Sequence, residues 1–241
     1  MHAAQIIRKE QPGQGRVTIL RICRLIFTGT AVACLTACGA TEVQVAPIFE
    51  FPTPLVEPLP VHLGVYYSEN FSNFTYYESK DKQGIDDTSI KMGEAQISLF
   101  EKILPAVFEQ VQVLQRGEPA SSRAHLDAVL VPQIIDVEYA VPQTNKAKIY
   151  EVWIKYKFDL LAPDGSSIAT WTMPAYGKTP TALLKSSKEA INLASVMALR
   201  DCGAAFITGF TRVPEVAQWL DTSIGNAAPA GRSEQGEVSY E

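Results

Sequence analysis

Residues 148–173 read KIYEVWIKYKFDLLAPDGSSIATWTM, and this stretch decides the fold. Ile149, Glu151, Trp153, Lys155, Lys157 and Asp159 fall on one side of an alternation, and Tyr150, Val152, Ile154, Tyr156, Phe158 and Leu160 on the other. A period of two with one apolar side marks a strand that has one face in a core and one in water. Pro163-Asp164-Gly165 signals a turn: proline presets φ, aspartate bonds to its own backbone, and glycine tolerates positive φ. Ile168 to Met173 then returns as the hairpin partner. Upstream, Asp127 to Val141 carries Ala128-Val129-Leu130-Val131 and Ile134-Ile135, a third strand with Pro132 as a bulge or break. Together the three strands form a meander.

Helices flank the meander. Behind it, Ser186 followed by Glu189 fits a capping box, and Ile191, Ala194, Ser195, Ala198, Cys202, Ala205, Phe206 and Gly209 trace one helical face. Those small residues let a helix lie close on a sheet. Pro214 breaks the pattern, and Val213 to Leu220 adds one short turn. Ahead of it, Ile97, Phe100, Leu104, Val107, Phe108 and Val111 recur at helical steps, with Pro105 expected to bend the helix. A short strand follows before Gly117. Val61 to Tyr67 alternates as a first strand, and Ser68 to Met92 reads as a long aromatic-studded loop. The order predicts an α/β (α+β) domain over residues 61–220, with a single mixed, mainly antiparallel sheet and two main helices on one face.

The amino terminus is of another kind. Arg8, Lys9, Arg16, Arg21 and Arg24 precede a short apolar run from Leu25 to Ala33, too short to span a bilayer, which needs roughly 20 apolar residues. That is the layout of a signal peptide over residues 1–37. Directly behind it, Leu35-Thr36-Ala37-Cys38-Gly39 resembles the lipobox of bacterial lipoproteins. The resemblance implies cleavage before Cys38, acylation of its thiol with palmitate-type chains, and, with Gly39 rather than Asp following, an outer-membrane anchor facing the periplasm. Each buried CH₂ adds about 0.8 kcal/mol, so two or three acyl chains hold firmly. Residues 38–60 carry Pro47, Pro52, Pro54, Pro58 and Pro60 and read as an extended tether, or in part as an ordered arm along the domain. Residues 221–241 are rich in Gly, Ala, Ser and acid and read as a disordered tail.

Cleavage would remove five basic residues and one acidic one, leaving 16 basic, 25 acidic and a net charge of −9. Phosphate backbones repel such a domain, which argues against a nucleic-acid partner. Cys23 and Cys34 would leave with the signal peptide and Cys38 would be acylated, so Cys202 stays a lone thiol, expected to be buried in an oxidising periplasm.

Chemistry-bearing motifs are sparse. There is no G-x-S-x-G, His62 falls in a strand and His125 in a polar loop, and these two histidines with the one free cysteine that cleavage and acylation would leave give no zinc spacing. Asp86-Asp87 and Asp136 with Glu138 are the acid pairs, the latter sharing a strand face as half-solvated strands commonly do. The expectation is therefore no enzyme, no cofactor and no metal. The candidate binding residues are Tyr66, Phe71, Phe74, Tyr76 and Tyr77, aromatic rings interleaved with polar side chains as at protein interfaces and sugar-stacking surfaces.

With the lipobox, the Leu126–Pro132 and Ile135–Val137 strand, the Asp164-Gly165 hairpin and the Ala-rich helix Ala190 to Phe210, the globular part resembles small periplasmic α/β envelope lipoproteins. These include the curli-secretion channel lipoprotein, activators of peptidoglycan synthases, and polysaccharide-export and transporter-auxiliary lipoproteins. The resemblance implies a non-enzymatic adaptor or assembly subunit in envelope biogenesis or export that associates with an envelope protein or with itself. The alternative is a small-ligand or glycan-binding lipoprotein, which requires a concave pocket between sheet and helices.

Overall fold

A computed structural model describes residues 41–44, 54–78, 88–117, 123–142, 149–180 and 186–225. By its contacts the chain divides between Ala40 and Thr41, and everything described belongs to the unit Thr41–Glu241. The signal peptide, Cys38, most of the proline-rich stretch, the acid pair Asp86-Asp87 and residues 226–241 lie outside the described residues.

The α/β class holds, but with two sheets rather than one. The larger is built on strand β2 (Leu59–Val65), which runs parallel to both β5 (Phe108–Val113) and β6 (Ala128–Ala140). The meander of β6, β7 (Ile149–Leu161) and β8 (Ser167–Pro180) is antiparallel throughout, which gives the order β5-β2-β6-β7-β8. Its turn forms as the residues dictate: Gly165 takes φ +92°, and the Asp164 carboxylate accepts from Ser166 N and Oγ. Those two bonds hold the Asp164 carboxyl below its usual range.

Pro132 neither bulges nor breaks β6. The register shift falls between Ile134 and Asp136 instead. Pairing with β2 stops at Leu130, whose carbonyl accepts from Tyr66 N. Residues two apart on a strand turn their backbone groups the same way, so Pro132 faces the side on which β2 has ended and no ladder bond is lost.

The loop expected over Ser68–Met92 is ordered structure at both ends. Helix α1 (Glu69–Ser72) is capped by Ser68, whose hydroxyl accepts from Phe71 N. Strands β3 (Thr75–Glu78) and β4 (Thr88–Lys91) then build a small sheet, completed by β1 (Thr41–Gln44) in the order β1-β4-β3. Strand β1 lies within the stretch read as tether. Val43 at its centre is fully buried, so these four residues follow the other reading of the stretch, an ordered arm packed on the domain.

Helix α2 (Gly93–Val107) holds Pro105 in its last turn and passes directly into β5, earlier than the periodicity through Val111 suggests. Helix α3 (Ser187–Gly209) starts at Ser186, whose hydroxyl accepts from Glu189 N at 3.2 Å as the capping box predicts. Its small face lies so close on β8 that a Cβ at Gly177 would stand 2.0 Å from the Ala194 carbonyl oxygen. Helix α4 (Pro214–Gly225) is longer than the single turn expected and carries the domain five residues past Leu220.

One main core joins these parts. Phe100 meets Tyr156, Phe158 and Phe206 edge-on at 6.4, 6.0 and 6.0 Å, and Val43 and Ile90 of the small sheet belong to the same cluster. Cys202 is buried as expected, beneath the sheet beside Tyr156. Burial pushes its thiol well above the ordinary range and the nearby Asp201 carboxylate adds to this.

Candidate functional site

The five aromatic residues singled out by sequence do not form one patch. Phe71 is 2% exposed, stacks on Tyr67 at 5.8 Å and takes its place in the main core. Its carbonyl is held by the buried Gln96 side-chain amide. Phe74 and Tyr76 are half-buried against that core. The Tyr76 hydroxyl donates to Glu78, and burial, followed by the charges of Glu78, Asp136 and Glu138, raises its pKa. Tyr77 is 75% exposed. Tyr66 packs elsewhere, on the small cluster of Leu114, Leu126 and Val129.

Phe71 and Phe74 do line a cleft of about 720 Å³ between α1 and the edge of β6. Ser68, Asn70 and Asn73 form its polar wall, and Val131, Gln133 and Ile134 face them. The cleft is bounded by the short helix and a strand edge, not by the sheet and its long helices, where a carrier's pocket was expected.

Two features escape a reading of the sequence. The first is the meander face opposite α2 and α3. There Trp153 and Tyr176 pair across β7 and β8 at 5.0 Å, and the Tyr176 hydroxyl donates to Glu151 at 2.7 Å. Burial, then Glu151, pushes that hydroxyl up to about 12. Further along the same face Asp159 accepts from Gln133, Lys157 and Thr170 at 2.9, 3.0 and 2.7 Å. Trp153 stands among Glu151, Lys155 and Lys157 on the polar side of the alternation, which is the signal that could have found it.

The second is the edge of β6. Beyond Leu130, Val131–Ala140 pairs with β7 alone among the described residues, so one edge of these ten residues has no strand partner, with α1 standing beside its inner end. Ile135, at the register shift, is 47% exposed, and Asp136 and Glu138 are exposed beside it. No sequence signal marks such an edge, because it is created by where β2 stops.

The histidines stay apart. His62 is tied through its backbone, its N–H donating to Asp127 at 2.7 Å, and the His125 ring bonds to Gln112 at 2.8 Å. Among the described residues no three His, Cys, Asp or Glu side chains are placed to hold a metal. Ser187–Arg212 is long and apolar enough to cross a bilayer, but half of its apolar window is buried in the fold, as a core helix requires.

No protein family matches the chain by sequence, and no curated protein matches it. Among solved structures it is similar to a Xanthomonas campestris protein of the DUF330 family, at 14% identity and a TM-score of 0.44 over 77% of this chain and 98% of that one. A neuraminyllactose-binding hemagglutinin homolog from Helicobacter pylori gives 13% identity and 0.43 over 73% and 97%. A minor lipoprotein from Acinetobacter baumannii gives 10% and 0.38 over 65% and 94%. At these scores none of the likenesses bears on what this chain does.

Proposed function

We propose that the protein is a lipoprotein cut before Cys38 and held by its acyl chains in the outer membrane, where the periplasmic domain acts without catalysis as an adaptor or assembly subunit of the envelope. The observation that carries the adaptor reading is the half-buried Trp153–Tyr176 pair on the meander face turned away from α2 and α3. Half-exposed aromatic rings within a polar surround are the usual anchors of a protein interface. The lipobox at Leu35–Cys38 supports the anchor, and the acidic balance argues against a nucleic-acid partner.

Growth with an alkyne-tagged palmitate tests the anchor. Label is expected on the wild type and absent from a Cys38→Ser variant; an unlabelled wild type would refute anchoring. A photo-crosslinking residue at Trp153 tests the surface, with one defined envelope protein expected at that site and none from an equivalent residue at exposed Glu215. If Trp153 captures no envelope protein, the adaptor reading fails.

The same ring pair supports a second reading, a glycan-binding lipoprotein, since sugar rings stack on aromatic faces and the Glu151 carboxylate stands beside the pair. Titration with cell-wall oligosaccharides would then quench fluorescence in the wild type and not in Trp153→Phe.

A further inference from the structure

Among the described residues Val131–Ala140 of β6 has no strand partner along one edge, a long run for a natural protein, since free edges are commonly short or covered. Alternate residues of Val131–Ala140 turn N–H and C=O groups toward the free side, a template for another strand about 4.8 Å away. Pro132, which has no donor, stands at the inner end of the run, so the remainder keeps its donors. At that end lies the cleft of about 720 Å³, within the range of roughly 300–1,000 Å³ typical of binding clefts.

The side chains decide what can dock. Asp136 and Glu138 project along the exposed part of the edge, Glu69 lines the cleft, and the charges of Glu78, Asp136 and Glu138 all reach Tyr76. Two basic residues of β7 lie across this stretch: Lys155 opposite Asp136, and Lys157 opposite Gln133, the latter paired with Asp159 at 3.0 Å. A second copy of the chain would bring the same carboxylates against these ones, and like charges directly opposite are destabilising. The irregular register at Ile135 also disfavours flat pairing between copies.

We infer that β6 takes up an extended, basic segment of a partner protein as an added strand along Val131–Ala140. Main-chain bonds would supply the affinity and the carboxylates would select the charge. This rests on the adaptor reading and names the chemistry of its partner.

The test uses the full chain purified in detergent and fluorescein-labelled ten-residue peptides. One alternates Lys and Val, one alternates Glu and Val, and the third is the Lys–Val peptide methylated at every backbone nitrogen. The Lys–Val peptide is expected to bind at least tenfold more tightly than either of the others and to slow hydrogen exchange of amides within residues 131–140. Asp136→Lys with Glu138→Lys should weaken it at least tenfold; both positions are exposed, and unchanged circular dichroism would verify the fold. Equal binding of the methylated peptide would show attraction of charge alone and overturn strand addition, and that comparison needs no variant. Absence of binding by the Lys–Val peptide, or its retention by the double variant, would overturn the inference as well. None of these outcomes alters acylation at Cys38 or capture at Trp153, so the two readings fail separately.

Discussion

At the scale of single residues, Gly177 and Cys202 carry the sharpest expectations. At Gly177 the neighbours of an added methyl are backbone atoms of α3, the Ala194 oxygen at 2.0 Å and the Ala198 nitrogen at 2.3 Å, so no side chain can swing away. Gly177→Ala should destabilise the domain by about 1–3 kcal/mol or more, read as a lower urea midpoint. Cys202 is protonated in the fold because burial raises its pKa above the ordinary 9.0, and Tyr156 beside it is raised by burial in the same way. Unfolding lets both titrate at their ordinary values. The unfolded chain then binds fewer protons than the folded one, so stability is full below about pH 9 and falls as pH rises further. Urea midpoints measured from pH 7 to 11 should decline above pH 9, and Cys202→Ala should flatten the first part of that decline. A thiol reagent at neutral pH should leave the folded protein unlabelled at Cys202 and react once urea has opened it.

Among the elements, those with many repeats of one period are legible in the sequence. Thirteen residues of β7 and twenty-three of α3 give the alternation and the helical stripe room to declare themselves. Helix α1 and strands β1, β3 and β4 have four residues each, too few for a period, and they form because Val43, Phe71 and Ile90 find places in a core assembled by the longer elements. The same reason explains the candidate site. An aromatic residue in a short segment gives no sign of which way it faces, so Phe71 and Tyr77 read alike although one is core and the other solvent-exposed. The Ser186 cap is readable because its chemistry is local. Ser186→Ala should cost about 1 kcal/mol, visible as a lower melting temperature, whereas Ser186→Asp should retain most of the stability.

At the scale of the domain, the described residues share one main core to which both sheets contribute. Val43 and Ile90 sit in the same buried cluster as Phe100, Tyr156 and Phe206, so the small sheet should not melt on its own. Urea unfolding followed by far-ultraviolet circular dichroism and by tryptophan fluorescence should give one midpoint, and Val43→Ala should move both signals together. Separate midpoints would mean that the small sheet is an independent unit.

Strand β1 also sets the length of the leash. It begins at Thr41, three residues after Cys38, and three residues reach about 10 Å at full extension. An anchor at Cys38 would therefore leave the domain no stand-off. Its Thr41 end would stay within about 10 Å of the lipidated residue, a short leash beside the bilayer surface. Whatever it binds would have to come to the membrane surface to be met.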